Sequence, residues 1–104
     1  MNEEYMKLLY VIDNYFQKDP ILIQWGNGLK VKCTSFIGIY ETDTEPEDED
    51  YIGEYAIAVD NVEIIEKAND KSVEIFNDCI EISLKCIPEK IWSEDGTVLW
   101  QQRN

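Results

Sequence analysis

The feature that most constrains this chain is a change of apolar period at Lys18-Asp19-Pro20. Before it, Tyr5, Leu8, Leu9, Ile12, Tyr15 and Phe16 recur at spacings of three and four, the period of an amphipathic helix. Asn2 offers a cap, and Glu3 and Glu4 complement the positive end of the helix dipole. The spacing predicts a helix over 3–17 with one apolar face. Pro20 pushes Asp19 out of helical geometry and stops it. Beyond that point the period is two, so everything after the helix is expected to be sheet.

Residues 21–25 and 29–41 read as a hairpin around Gly26-Asn27-Gly28, whose glycines supply the positive φ of a tight turn. Leu29, Val31 and Cys33 alternate with Lys30, Lys32 and Thr34, so the odd positions should face the core. The alternation slips around Phe36-Ile37-Gly38, as at a bulge or a sharp bend. Residues 51–59 return to it, with Tyr55, Ile57 and Val59 on one side, and should pair with the strand before the loop. Val62–Ile65 either continues that strand or starts another, and Val73–Phe76 and Cys79–Cys86 are further expected strands, with turns at Asn69-Asp70 and Asn77-Asp78. Asp95-Gly96 marks a last hairpin between residues 90–93 and 97–101.

Charge sets the direction of function. The chain has 22 Asp and Glu against 9 Lys and Arg, no His, and a formal charge of -13. Such a field repels nucleic-acid phosphate and anionic lipid, and attracts a basic protein surface. Eight of the acids lie between Glu41 and Glu54, with no base among them. The start MNEEYMKLL lacks the bases of a secretory signal, and no apolar run approaches the roughly 20 residues of a membrane span, so a cytoplasmic location is expected.

Most reaction chemistries lack their parts. Serine or cysteine hydrolysis usually takes its general base from His, and there is none. The glycines form no phosphate-binding loop. Cys33, Cys79 and Cys86 are odd in number and match no C-x-x-C spacing, so buried free thiols are expected. Asp43, Glu45, Glu47, Glu49 and Glu54 can be laid on positions 1, 3, 5, 7 and 12 of a calcium loop. Asp48 then stands where the turn needs Gly, and Asp50 where an apolar residue is usual, so an EF-hand is not expected. Trp25, Trp92 and Trp100 are expected in the core, the last two pairing across the final hairpin if they share a face.

A helix followed by ILIQWGNGLKVKCTSFIGIYETD and YIGEYAIAVDNVEII resembles the order of the Sm-like small barrels. Their RNA-binding I-R-G segment has no counterpart in residues 73–86, so no functional residue carries over. The ending IEISLKCIPEKIWSEDGTVLW, about a fifth of the chain, is similar to endings of small acidic proteins of Gram-positive bacteria of an immunity-protein-like kind. That resemblance implies a class and no site.

The expected fold is a single α+β domain over residues 1–104. Its N-terminal helix lays Leu8, Leu9, Ile12 and Phe16 on a bent, mostly antiparallel sheet of five to seven strands, or a partly open small barrel. The expected function is non-enzymatic protein binding, immunity- or inhibitor-like toward a basic partner. The partner-binding residues are Glu45, Glu47, Asp48, Glu49 and Asp50 in an acidic loop over 42–50, with no catalytic residue, metal or cofactor. The alternatives are a divalent-cation protein or metal-dependent enzyme using that loop, and a homodimer through Trp92 or Trp100.

Overall fold

In a computed structural model describing residues 3–15 and 19–102, helix α1 runs Glu3–Tyr15. Its buried residues are Tyr5, Leu8, Leu9 and Ile12, one stripe at helical spacing. Asn2 and Phe16 lie outside the described residues. Eight strands follow: β1 Ile21–Gln24, β2 Lys30–Cys33, β3 Ser35–Glu41, β4 Tyr55–Asp60, β5 Glu63–Glu66, β6 Ile80–Ile82, β7 Lys90–Ser93 and β8 Val98–Gln101. They form two antiparallel sheets among the described residues, ordered β5-β2-β1-β7-β8 and β3-β4-β6. The architecture is α+β and not a closed barrel.

Residues 29–41 do not make one strand. The chain leaves the first sheet after Cys33 and enters the second at Ser35, so Thr34 is the corner. The slipped alternation has a second cause in the β3–β4 ladder, whose register shifts between Ile37 and Tyr40. Residues 73–75 also form no strand. Alternation becomes a strand only where a neighbouring edge accepts the ladder, and only Phe76 finds one, pairing with Cys79 across the turn Asn77-Asp78. The expected strand 79–86 shortens to β6, because Ser83 and Cys86 close a second turn.

The apolar stripe of α1 meets Ile21, Ile23, Val31, Cys33 and Ile91 from the five-stranded sheet and Ile57, Val59, Ile80 and Ile82 from the smaller one. All of these are fully buried. Each such aliphatic chain stabilises the fold by about 1.5–3 kcal/mol, before the entropy of ordering is set against it. Tyr5 spends its hydroxyl on the carbonyl of Tyr55, and burial, followed by the charge of Glu81, holds its phenol above the usual range. Ala56 and Ala58 turn to the other face of β4 and are buried too. The register places Tyr40 opposite Ala56 and Glu81 opposite Ala58, and the Tyr40 hydroxyl donates to Glu81 over them.

Trp92 and Trp100 do not pair. The β7–β8 register puts Trp100 opposite Ile91, on the core face, and Trp92 opposite Val98, on the outer one. Trp25 and Trp100 are buried, while Trp92 is half-buried beneath the ammonium groups of Lys30 and Lys90, 4.9 and 5.1 Å from its ring centre. The hairpin itself closes as expected. Gly96 at φ 95° and the bonds Ser93 N–H to Thr97 O (2.8 Å) and Gly96 N–H to Ser93 O (3.0 Å) make a three-residue loop.

Candidate functional site

The acidic segment joins β3 to β4, and its two arms are tied together by side chains that carry no charge. Thr42 Oγ1 and Thr44 Oγ1 both donate to the carbonyl of Gly53, the second at 3.1 Å. Thr44 Oγ1 in turn accepts from Ile52 N–H at 3.3 Å, and Thr42 N–H bonds Glu54 O at 3.0 Å. These bonds tie the two arms of the loop together above the end of the β3–β4 ladder.

Within the loop, Asp48 closes a small ring: its carboxylate accepts from Glu45 N–H (2.9 Å) while its own N–H bonds Glu45 O (2.9 Å). Tyr51 N–H follows on to Asp48 O at 3.2 Å. The loop also docks on the segment after β6, where Leu84 N–H donates to Ile52 O (2.9 Å) and Lys85 Nζ to Glu49 O (3.1 Å). Glu45, Glu47, Asp48, Glu49 and Asp50 are thereby all exposed on one connected loop.

Exposure of this kind fits recognition better than chemistry. Among the described residues, no three acidic or cysteine side chains converge where they could hold a metal ion. Asp43, Glu45, Glu47, Glu49 and Glu54, which the calcium-loop alignment placed together, form no such group among the described residues, and the turn is built on Asp48 and the threonines. The thiols are equally inert. Burial pushes Cys33 up to about 12 and Cys86 to about 11, and raises Cys79, so all three stay protonated at neutral pH. No disulfide joins them. Cys33 is buried as expected, while the other two are half-buried.

The anchors Thr42, Thr44, Gly53 and Lys85 were not legible as site residues. A Thr-x-Thr pair before an acidic run and a glycine after it are a usable signal, but only once the two arms are known to lie side by side. A second structured loop was equally hidden. Residues 67–76 form a strap held to the β1–β2 turn by Asn69 N–H to Asn27 O (2.8 Å) and by Asn27 Nδ2 to Asp70 (3.0 Å) and Ser72 Oγ (3.2 Å).

Asp70 also accepts from Ser72 Oγ and Ser72 N–H, and these bonds hold its carboxyl down at about 2, from an ordinary 3.8. A folded value below the unfolded one means the tie is present above pH 3.8 and is lost as pH falls through about 2. Protection of Ser72 N–H, its exchange rate compared with the intrinsic rate at the same pH, should therefore fall over that window in the native chain, and an Asp70→Asn variant should show no such step.

A family model described as cognate immunity protein YxxD matches residues 3–104. The chain belongs to this family. Comparison with curated proteins and with solved structures finds no match. The immunity-like resemblance of the final fifth thus extends along almost the whole chain, helix and acidic loop included. Membership of the YxxD immunity family carries an inhibitor-like, protein-binding role, and such families are typically non-enzymatic. Among the described residues, no helix is long and apolar enough to cross a membrane.

Proposed function

We propose that this immunity-family chain works in the cytoplasm, without catalysis, by covering a basic surface of its cognate protein with the acidic loop. The observation behind this reading is that Glu45, Glu47, Asp48, Glu49 and Asp50 are all exposed on a loop whose backbone is held by Thr42, Thr44 and Gly53. A loop ordered before contact loses less entropy on binding, and clustered like charge speeds encounter with a basic surface. The charge of -13 for the whole chain reinforces the same preference.

Affinity capture from native lysate, followed by titration with the recovered protein, tests the reading. The variant with Gln at 45, 47 and 49 and Asn at 48 and 50 should bind at least about tenfold more weakly, since five rim charges contribute a few tenths of a kcal/mol each. Unfolding midpoints should stay within about 0.5 kcal/mol of wild type, because the threonine ties are untouched and Asn at 48 keeps a side-chain oxygen that can accept from Glu45 N–H. Rising salt should weaken the wild-type complex and close the gap between the two. Equal affinity at low salt would refute the role of the loop.

A further inference from the structure

The larger sheet ends on β8, and that edge is open. Hydrogen bonds at the two ends of the β7–β8 ladder fix which main-chain groups point outward. Gln102 N–H donates to Glu89 O (2.9 Å) and Ser93 N–H to Thr97 O (2.8 Å), so Glu89 with Gln102 and Ser93 with Thr97 are bonded pairs. Lys90 with Gln101 and Trp92 with Val98 are the pairs next to them, and in an antiparallel ladder such pairs turn their N–H and C=O groups away from each other. The N–H and C=O of Val98 and Gln101 therefore face the open side. Natural sheets guard an edge of this kind with charge. At the opposite edge of the same sheet β5 carries Glu63 and Glu66, whereas β8 reads Val-Leu-Trp-Gln and carries none.

Beside the open edge lies a groove. Tyr10, Val11 and Tyr15 of α1 and Leu99, Trp100 and Gln101 of β8 line about 680 Å³. Glu4 and Lys7 also line it and pair with each other at 3.6 Å, so the groove itself is close to neutral. A strand edge alongside a helix suits an extended peptide that adds as a further strand. Its main chain bonds the edge, and every second side chain enters the groove.

Charge marks one end of the groove. Tyr15 also lines a smaller pocket of about 290 Å³, whose other described lining residues are Asp19, Glu94 and Asp95. Lys32 offsets Glu94 at 2.8 Å, while Ser93 Oγ and Thr97 N–H hold the carboxylate of Asp95 in place. Asp19 and Asp95 are left without an ion pair among the described residues. A second copy of this chain, at -13, would meet that end unfavourably. We propose that β8 takes an extended segment of the cognate protein as a sixth strand of the larger sheet, with apolar side chains against Val11, Tyr15 and Leu99 and a Lys or Arg at Asp19 and Asp95. This rests on the reading that the cognate protein is basic, and adds a main-chain contact made by residues outside the 45–50 loop.

The test uses the whole chain, labelled at backbone amides for NMR, and three capped peptides. The first is Lys-Thr-Val-Thr-Val-Thr-Lys. The second is the same sequence N-methylated at every residue between the lysines, which keeps the charge and removes the main-chain donors. The third has Glu in place of both Lys. The first should shift the amides of Val98 and Gln101 and slow their exchange with solvent. The second should leave those two amides still while moving amides of residues 45–50, and the third should move neither.

Gln101→Pro removes an outward N–H at an edge position, where the ladder to β7 loses no bond. It should weaken the first peptide at β8 about tenfold, read at the Val98 amide, and leave the loop shifts and the unfolding midpoint intact. Val98→Lys, at an exposed position, should weaken it similarly by setting a base against a basic strand. Amides of Val98 and Gln101 that respond alike to the first and second peptides, that respond to the acidic one, or that never shift would each overturn the proposal. So would sedimentation showing a dimer that Gln101→Pro dissolves, which would give the edge to a second copy. Loop amides that stay still while the β8 amides respond would support the edge and count against the loop reading alone.

Discussion

Gly53→Ala should lower the stability of this chain by about 3 kcal/mol, read as a reduced urea midpoint with little change in slope. Two effects add. Gly53 sits at φ 99°, a conformation that costs a side-chain-bearing residue about 1–3 kcal/mol. The new Cβ would also lie 3.1 Å from Leu84 Cγ and 3.4 Å from Tyr5 Cε2, in a wall that includes the fully buried Tyr5. The strain is not confined to the core, because the Gly53 carbonyl receives both threonine hydroxyls of the acidic loop. Amide exchange at Thr42 and Ile52 should rise in the same variant. Gly38→Ala is the control: its Cβ would meet nothing nearer than Asp13 Oδ1 at 3.8 Å, at no positive φ, and should change stability by less than about 0.5 kcal/mol. A Gly53→Ala protein as stable as wild type would mean that the loop is not docked against Tyr5 and Leu84 as described.

Ile57→Ala should cost about 3 kcal/mol for a different reason. Ile57 is fully buried on the central strand of the smaller sheet, between β3 and β6, in the core it shares with α1. Truncation removes the transfer free energy of three carbons and leaves a cavity that neighbours fixed by two ladders cannot fill. Ile37, on the adjacent strand and 55% exposed, should lose less than about 0.5 kcal/mol on the same change. Paired urea titrations decide the matter. Equal losses at the two positions would contradict the assignment of the core to that face of the sheet.

Much of the scaffold that carries these effects was legible from local periodicity. Tyr5, Leu8, Leu9 and Ile12 repeat at helical spacing, and all four are buried. Leu29, Val31 and Cys33 alternate with lysines and a threonine, and all three face the core. The Asp95-Gly96 hairpin and the pairing of β3 with β4 across the acidic loop also follow from their flanking residues. What periodicity misses is partnership. Residues 73–75 alternate as a strand would, yet no edge is available to pair with them and they become the wall of a groove. Trp92 and Trp100 sit on matching arms of one hairpin, and a register shift between Ile91 and Trp92 sends them to opposite faces.

The site divides in the same way. An acidic run is visible in any sequence, and charge acts over distances larger than a residue, so the basic partner proposed above is argued from composition alone. Whether that run is a loose tether or a shaped surface depends on Thr42, Thr44 and Gly53 meeting across the loop, and on Leu84 and Lys85 arriving from the far side of β6. Those contacts join residues separated by 9 to 36 positions, and no local pattern encodes them. The sequence by itself therefore determined the helix, the antiparallel class and the direction of charge, because each rests on neighbours along the chain. Only the tertiary structure decided the two-sheet split, the order of the acidic loop and the groove between α1 and β8, because each depends on which distant segments come into contact.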